Sequence, residues 1–244
     1  MATLRFQTFQ RILIIKPSAV GDVVHALPIL PKLRARYPAA QIDWLIRPEI
    51  ADLVRHHPAL SRVVLFDRRQ LGRFGREWSA TTGLARLLLA VWRTRYDLVV
   101  DLHGQLRSAV FCFASGARTR LGFARAREGA RVAYTHLIPV PTLDVHAVDR
   151  YLEINDVLGL DWDLPDFTIH LPPAAESGAQ ALLDAAGIRH QPFALVVPGT
   201  IWQTKHWRPK GFAEVARYLA SRGLRVVIGG TPQERELTRA VAGD

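Results

Sequence analysis

The chain has 244 residues with 32 Lys and Arg against 22 Asp and Glu, which gives a formal net charge of +10. Hydrophobic residues make up 49% of the sequence, enough to bury a sizeable core, so a disordered chain is excluded. A single cysteine, Cys112, excludes a disulfide framework and a Cys-rich zinc site. No apolar run approaches the roughly 18–20 residues that span a bilayer, and Met1–Gln10 lacks the apolar core of a signal peptide.

The first part of the chain alternates between predicted strands and helices. Short β-branched or apolar runs predict strands over Arg11–Lys16, Gln41–Ile46, Arg62–Phe66 and Leu98–Asp101. Helical periodicity predicts helices over Asp22–Tyr37, Trp78–Thr94, Arg107–Ser115 and Val145–Leu158. Such alternation predicts an α/β domain with a parallel sheet that is covered on both faces.

A second unit is predicted to begin near Pro172 and Pro173, which divides the chain into domains 1–172 and 173–244. Its predicted elements are the helix Gly178–Ala186, the strand Phe193–Val197, the helix Gly211–Ser221 with Gly223 as its cap, the strand Leu224–Ile228 and the helix Pro232–Ala242. Two strands alone leave an open sheet edge, so we expect the second domain to be incomplete. Alternatively, these strands extend the first sheet.

The first candidate site follows the first predicted strand, in the segment Lys16–His25. Gly21 allows a tight turn, and Asp22 lies at a helix start, next to the sheet edge where α/β proteins bind ligands. Asp22 either caps the helix or acts as a general base toward a hydroxyl. The segment is not a dinucleotide fingerprint, because G-x-G-x-x-G is absent.

Two further polar groups occur in the first domain. Asp101 and His103 follow a buried strand, where they either bind a sugar hydroxyl or cap the next helix. A basic segment runs from Arg118 to Arg131, and His146 and Arg150 are spaced to share one helical face. These cations either bind a carboxylate or phosphate, or form an ordinary solvated surface.

The last candidate loop, Pro198–Trp207, lies between a strand and a helix of the second unit. Its Gly199, Thr200 and Lys205 suit a phosphate near a helix N-terminus, although a packed Trp and a solvated Lys explain the loop almost as well. The sequence shows no metal-ligand cluster and no G-x-S-x-G elbow. The positive charge favours an anionic partner, and nucleic acid is disfavoured because no zinc-finger or RNA-recognition signature occurs.

Taken together, these segments resemble glycosyltransferase family 9, the ADP-heptose:lipopolysaccharide heptosyltransferases. The resemblance is carried by ILIIKPSAVGDVVHALPILPKLRARYP at Ile12–Pro38, DWLI at Asp43–Ile46, DLHGQLRSA at Asp101–Ala109, RLGFARAREGA at Arg120–Ala130, HAVDRYL at His146–Leu152 and TKHWRP at Thr204–Pro209. It implies a GT-B fold, in which two Rossmann-like domains bind the acceptor and the nucleotide sugar. The implied reaction moves heptose from ADP-heptose to a Kdo sugar of lipid A with inversion, without a metal or other cofactor.

The resemblance also implies roles for individual residues. Asp22 corresponds to the general base, Lys205 and Thr200 to ligands of the donor phosphate, and Glu234, with Glu236 as competitor, to the ribose ligand. The implied acceptor-binding residues are Ser18, Gly21, Arg120, His146 and Arg150. The implied location is the cytoplasm, with peripheral association to the anionic inner face of the inner membrane.

The sequence departs from the family pattern at two places. Ile201 stands where a second hydroxyl residue is expected, and a later D-T-G-x-x-H donor motif has no counterpart before Asp244. We therefore expect a truncated second domain and little transferase activity from these 244 residues alone. Two alternatives stay open: a family member that uses another nucleotide sugar, and a non-catalytic module that binds anionic glycolipid or membrane.

Overall fold

The chain divides into two compact units, Met1–Leu171 and Pro172–Asp244, and each is described by itself. The computed structural model describes residues 4–67, 72–73, 75–140, 142, 144–200 and 202–243. The division lies one residue from the boundary expected after residue 172.

The first unit is built on a parallel sheet of six strands in the order β3-β2-β1-β4-β5-β6. Its strands are β1 (Arg11–Ile15), β2 (Gln41–Ile46), β3 (Arg62–Leu65), β4 (Leu98–Asp101), β5 (Thr119–Phe123) and β6 (His136–Ile138). Every neighbouring pair is parallel. This order is that of the Rossmann fold, which places ligands at the carboxyl ends of the strands. The predicted α/β class and parallel sheet are confirmed.

Helices cover both faces of this sheet. They are α1 (Val20–Ala26), α2 (Ile29–Arg36), α3 (Asp52–Arg55), α4 (Trp78–Thr94), α5 (Leu106–Ala114), α6 (Ala147–Leu152) and α7 (Ile154–Leu158), with 3-10 helices at Leu4–Phe6, Pro48–Ile50 and Ala130–Ala133. Along β1, Ile12 and Ile14 join one buried cluster, while Leu13 and Ile15 join the other. Because side chains alternate along a strand, both faces of β1 are core, as its unbroken apolar run predicted.

Two predicted helices are each divided in the structure. The helix expected over Asp22–Tyr37 breaks at Pro28, which has no N–H to donate to the preceding turn. The Leu30 N–H bonds instead to the Leu27 carbonyl at 3.0 Å, a tighter i→i−3 pattern. The helix expected over Val145–Leu158 is likewise divided, between α6 and α7 at Glu153.

The second unit contains a parallel sheet of two strands, β7 (Phe193–Val196) and β8 (Arg225–Ile228). Its helices are α8 (Pro173–Ala185), α9 (Pro209–Ser221) and α10 (Arg235–Ala242), with 3-10 helices at Gln203–Lys205 and Pro232–Glu234. Gly223 follows α9 with a φ of +84°, the left-handed conformation expected after a helix end. Within the described chain, β7 and β8 form a sheet of their own, so the alternative that they extend the first sheet is wrong.

No helix within the described ranges is both long and apolar enough to cross a membrane.

Candidate functional site

A polar pocket opens at the carboxyl edge of the first sheet, with a volume of about 320 Å³. Segments that follow β1, β4 and β5 meet there with side chains from α1 and α6. The charged, polar and aromatic side chains that line it are Lys16, Asp22, His103, Gln105, Phe123, Arg125, Arg127, Arg150 and Tyr151. The pocket therefore combines one carboxylate with four permanent cations, which suits an anionic ligand that carries hydroxyl groups.

Asp22 is the carboxylate of this pocket and the third residue of α1. Its Oδ2 accepts the Ala19 N–H at 3.3 Å and lies 3.5 Å from the Lys16 Nζ. Both contacts use the same oxygen, so Oδ1 has no partner within the described part of the chain, and the side chain is 46% exposed. Asp22 thus accepts a backbone N–H at the start of α1, as the capping alternative predicted, and it keeps a partly exposed oxygen, so the general-base role stays a prediction.

Lys16 is the buried partner of Asp22. It follows β1 directly, is 3% exposed, and places its Nζ 5.2 Å from the ring centroid of Tyr151. A buried cation needs such partners, because desolvation of an unpaired charge is costly. Lys16 lies in the candidate segment Lys16–His25, but no role was predicted for it, although a lysine directly after an apolar strand at the ligand-binding edge is a usable signal.

Asp101 braces the loop that follows β4. It is fully buried, and its Oδ1 accepts the N–H groups of His103 at 2.9 Å and of Gly104 at 3.1 Å. Its Oδ2 accepts the Tyr134 hydroxyl at 2.7 Å. Burial raises the pKa of Asp101, and the Tyr134 hydrogen bond counteracts this increase. Asp101 is therefore neither a sugar ligand nor a cap of α5, whose N-cap residue is Gln105.

The braced loop carries two unpaired polar atoms into the pocket lining. The Nε2 of His103 and the Oε1 of Gln105 are buried without a hydrogen-bond partner among the described residues. Burial, together with the positive charges of Lys16 and Arg107, lowers the pKa of His103 to about 4, against a smaller opposing effect of the Gln105 side chain beside it. The imidazole is therefore neutral at pH 7, and unpaired buried polar atoms are ready to bond a ligand.

The structure brings Arg150 to the pocket but keeps His146 outside its lining. His146 is the N-cap residue of α6, and its Nδ1 accepts the Val148 N–H at 3.3 Å. Its ring packs edge-to-face on His25, with centroids 5.4 Å apart. Of the two residues predicted to share one helical face, only Arg150 thus lines this pocket.

Arg120, Ser18 and Gly21 are also absent from the lining of this pocket. Arg120 lies in β5, and its guanidinium donates to the carbonyls of Ala133 at 2.6 Å and Ala117 at 2.5 Å. It therefore connects backbone segments. Ser18 lies between β1 and α1, and Gly21 is the second residue of α1, next to Asp22.

In the second unit, the loop after β7 meets the loop after β8. Glu234 packs so closely on Gly199 that a Cβ there would collide with the carboxylate. The Thr231 N–H and hydroxyl donate to Glu234 Oε2 at 2.7 and 3.0 Å, and these hydrogen bonds lower the pKa of Glu234.

The other predicted donor ligands belong to the same loops. The carbonyl of Thr200 lies 2.8 Å from the His206 Nε2, and Lys205 is exposed at the end of the 3-10 helix Gln203–Lys205. Glu236 is exposed in the first turn of α10, whereas Glu234 lies against the glycine of the predicted phosphate loop. Ile201, the departure noted in this loop, lies outside the described residues.

A metal centre is not evident in the ranges that are described, since no three His, Cys, Asp or Glu side chains come together there as a ligand group.

Two sequence relatives align with nearly the whole chain. Lipopolysaccharide heptosyltransferase 1 of Pseudomonas aeruginosa is 30% identical over 238 residues, which are 96% of this chain and 65% of the relative. Lipopolysaccharide heptosyltransferase 1 of Salmonella typhimurium is 28% identical over 242 residues, which are 95% of this chain and 72% of the relative. The chain thus spans about two thirds of the length of these relatives.

Solved structures and a family profile agree with these relatives. The E. coli heptosyltransferase WaaC with ADP-2-deoxy-2-fluoro heptose superposes with a TM-score of 0.77 at 26% identity, over 96% of this chain and 73% of that one. A family 9 glycosyl transferase from Veillonella parvula has a TM-score of 0.81 at 20% identity, over 99% of this chain and 67% of that one. These matches confirm the predicted GT-B class. Residues 84–243 match the profile of glycosyltransferase family 9 (heptosyltransferase), and the chain belongs to this family.

Proposed function

We propose that the protein transfers heptose from ADP-heptose to a Kdo sugar of lipid A, with inversion at the anomeric carbon and Asp22 as the general base. The observation that carries this proposal is the Asp22 carboxylate, partly exposed in a pocket that is otherwise basic and polar. Family membership and heptosyltransferase relatives support the sugar class.

The chemistry requires a base because a sugar hydroxyl is a weak nucleophile until its proton is taken. The Oδ1 of Asp22 accepts that proton while the acceptor oxygen attacks the anomeric carbon. The bond from this carbon to the ADP oxygen breaks at the same step, so one displacement inverts the centre and ADP leaves with the electron pair. Lys16 holds the other carboxylate oxygen and thereby orients Oδ1.

Residues of the second unit serve the departing nucleotide in this proposal. Lys205 and Thr200 bind the diphosphate, where positive charge and hydroxyl hydrogen bonds stabilise the negative charge that develops on leaving. Glu234 binds the ribose. Lys205 thus fills the role that a divalent cation has in other sugar transferases, and we expect turnover to be unchanged by the chelator EDTA.

Arg125, Arg127 and Arg150 in the pocket lining suit the carboxylate of Kdo and the phosphates of lipid A. The same anionic acceptor accounts for the basic pI of about 10.6. We place the protein in the cytoplasm, associated peripherally with the inner face of the inner membrane, where a lipid-linked acceptor is accessible.

The test measures ADP release and acceptor binding by the complete gene product with ADP-heptose and Kdo-lipid A. We expect Asp22→Asn to lower kcat by about 100- to 10,000-fold, the usual contribution of a general base, while acceptor affinity is retained. The matched control is Asp52→Asn, which removes a carboxylate that is 82% exposed in the first turn of α3.

Three outcomes contradict parts of the proposal. Undiminished turnover by Asp22→Asn refutes the role of this residue. Turnover only with another nucleotide sugar replaces the donor. Glycolipid binding without turnover in any variant favours the non-catalytic binding module.

A further inference from the structure

Helix α5 exposes an apolar stripe that the fold does not bury. Leu106, Val110 and Phe113 are 54%, 42% and 68% exposed. Their spacing of four and three residues places them on one side of the helix. The opposite side is already occupied by the core residues Ala109 and Cys112. The helix is therefore apolar on both sides, and its outer side is available to a partner.

Two elements that adjoin α5 also expose apolar side chains. Val132, in the 3-10 helix that packs on α5, is 89% exposed. Trp92 of α4 is 43% exposed and lies at the end of α5, since a Cβ on Gly116 would be 3.5 Å from its ring. We call Leu106, Val110, Phe113, Val132 and Trp92 the α5 patch.

The segment around the patch is strongly basic. Its arginines between residues 104 and 135 are Arg107, Arg118, Arg120, Arg125, Arg127 and Arg131. The one acidic residue there, Glu128, accepts the Leu106 N–H at 3.1 Å and so caps α5. The Arg120 guanidinium lies 6.0 Å from the ring centroid of Phe113, so the basic segment and the patch are in contact at this point.

This combination fits an anionic lipid bilayer. Apolar side chains enter the boundary between headgroups and acyl chains, while exposed arginines outside the pocket lining, such as Arg118 and Arg131, bind the anionic headgroups. A second copy of this chain fits poorly, because an isologous contact would bring the two arginine sets together. We propose that the α5 patch is the surface through which the protein docks on an anionic membrane.

Docking by this patch has a consequence for the pocket. Gln105 lines the pocket and directly precedes Leu106, so the rim of the pocket lies at the first turn of α5. When α5 lies in the surface of a bilayer, the rim of the pocket is therefore at the level of the lipid headgroups. This inference rests on the proposed function for the lipid nature of the acceptor.

The experiment is cosedimentation of the protein with vesicles of phosphatidylcholine alone or of equal parts phosphatidylcholine and phosphatidylglycerol. We expect binding only to the anionic vesicles, and a loss of more than about tenfold in the double variant Val110→Ser/Phe113→Ser. The matched control is Leu164→Ser/Leu182→Ser, which changes side chains that are 93% and 75% exposed outside the patch. Circular dichroism verifies that each variant is folded.

The arginines are tested separately. Arg118→Ala and Arg131→Ala should each weaken binding by about fivefold, whereas Arg217→Ala on α9 should not. No binding by the parent protein, equal binding by the α5 double variant, or equal losses in patch and control variants would overturn the proposal.

A delipidated Kdo acceptor separates this inference from the proposed function. The Val110→Ser/Phe113→Ser variant should retain turnover with that soluble acceptor and lose it on vesicles. These turnover measurements use the complete gene product. If neither the parent nor any variant of it turns over either acceptor while vesicle binding follows the patch, the proposed function fails and the docking surface stands.

Discussion

Replacement of Asp101 by alanine should loosen the loop that carries His103 into the pocket. Asp101 is fully buried, and its carboxylate accepts three hydrogen bonds, from the backbone of His103 and Gly104 and from the Tyr134 hydroxyl. The alanine variant leaves these donors without an acceptor in the interior. The loop then loses the side chain that holds its first turn, and the contacts at Gln105 and Leu106 remain.

The expected loss of unfolding free energy in Asp101→Ala follows from the number and kind of hydrogen bonds that the variant lacks. Each buried donor that loses its acceptor costs about 1–3 kcal/mol, and three donors are affected. Part of this cost is offset, because the variant no longer buries a carboxylate. We expect Asp101→Ala to lower the free energy of unfolding by about 3–5 kcal/mol.

Asp101→Asn is the matched comparison. Its amide oxygen can still accept both backbone N–H groups, and its amide nitrogen can donate to the oxygen of Tyr134. It also removes a buried charge, so we expect a change within about 1 kcal/mol of the parent.

Urea unfolding followed by circular dichroism measures both variants, and hydrogen exchange reports the loop itself. We expect the amides of His103 and Gly104 to exchange at least about tenfold faster in Asp101→Ala, since each has lost its acceptor. If alanine and asparagine destabilise the protein equally, or if alanine changes stability by less than about 1 kcal/mol, the loop is held by something other than these bonds.

Two further predictions concern the same region. Gly122→Ala should destabilise the protein by about 2–4 kcal/mol in urea unfolding, because its Cβ would collide with the Tyr134 ring, whereas Gly178→Ala, with open space around it, should not destabilise; equal stabilities contradict this packing. The pKa of His103 is lowered from 6.5 to about 4 on folding, so its stabilising contribution is present above pH 6.5 and is lost as the pH falls toward 4. After allowance for solvent screening, lowering the pH from 7 to 5 should therefore destabilise the parent by about 1–2 kcal/mol more than His103→Gln, and parallel pH profiles would refute this.

The central strands could be predicted because a short, unbroken apolar run is typical of a strand that is buried on both faces. β1 and β4 are short, apolar and bounded by polar residues, as expected for strands buried on both faces. The helix α4 was predicted with the same bounds, because apolar residues recur at helical spacing along a segment of 17 residues, which is long enough to identify a helix.

The strands β5 and β6 were not predicted, and their residues explain why. β5 reads Thr-Arg-Leu-Gly-Phe, in which Arg120 and Gly122 weaken the strand signal. Gly122 is required there because the Tyr134 ring lies where a side chain would project. Arg120 was therefore interpreted as part of a basic binding segment, whereas in the structure its guanidinium bonds to two backbone carbonyls.

Site residues that belong to a local sequence motif could be predicted. Features of the site that arise where several chain segments pack together could not. Asp22 and Arg150 were predicted, and the structure places both in one pocket. The burial of Lys16 and the unpaired Nε2 of His103 depend on how Tyr151 and the loop after β4 pack, which no local pattern specifies.

The two aspartates at the carboxyl edge of the sheet have similar sequence surroundings, but their packing gives them different chemical environments. Asp22 lies in the first turn of the helix that follows β1, and Asp101 is the last residue of β4, shortly before α5. Asp101 is fully buried with both oxygens occupied, so a hydroxyl cannot reach it. Asp22 is 46% exposed and uses one oxygen. Of the two, Asp22 has the free oxygen that the proposed reaction requires, whereas Asp101 contacts the loop that carries His103. Asp22→Asn should therefore change kcat with binding retained, whereas Asp101→Ala should change acceptor affinity and stability together.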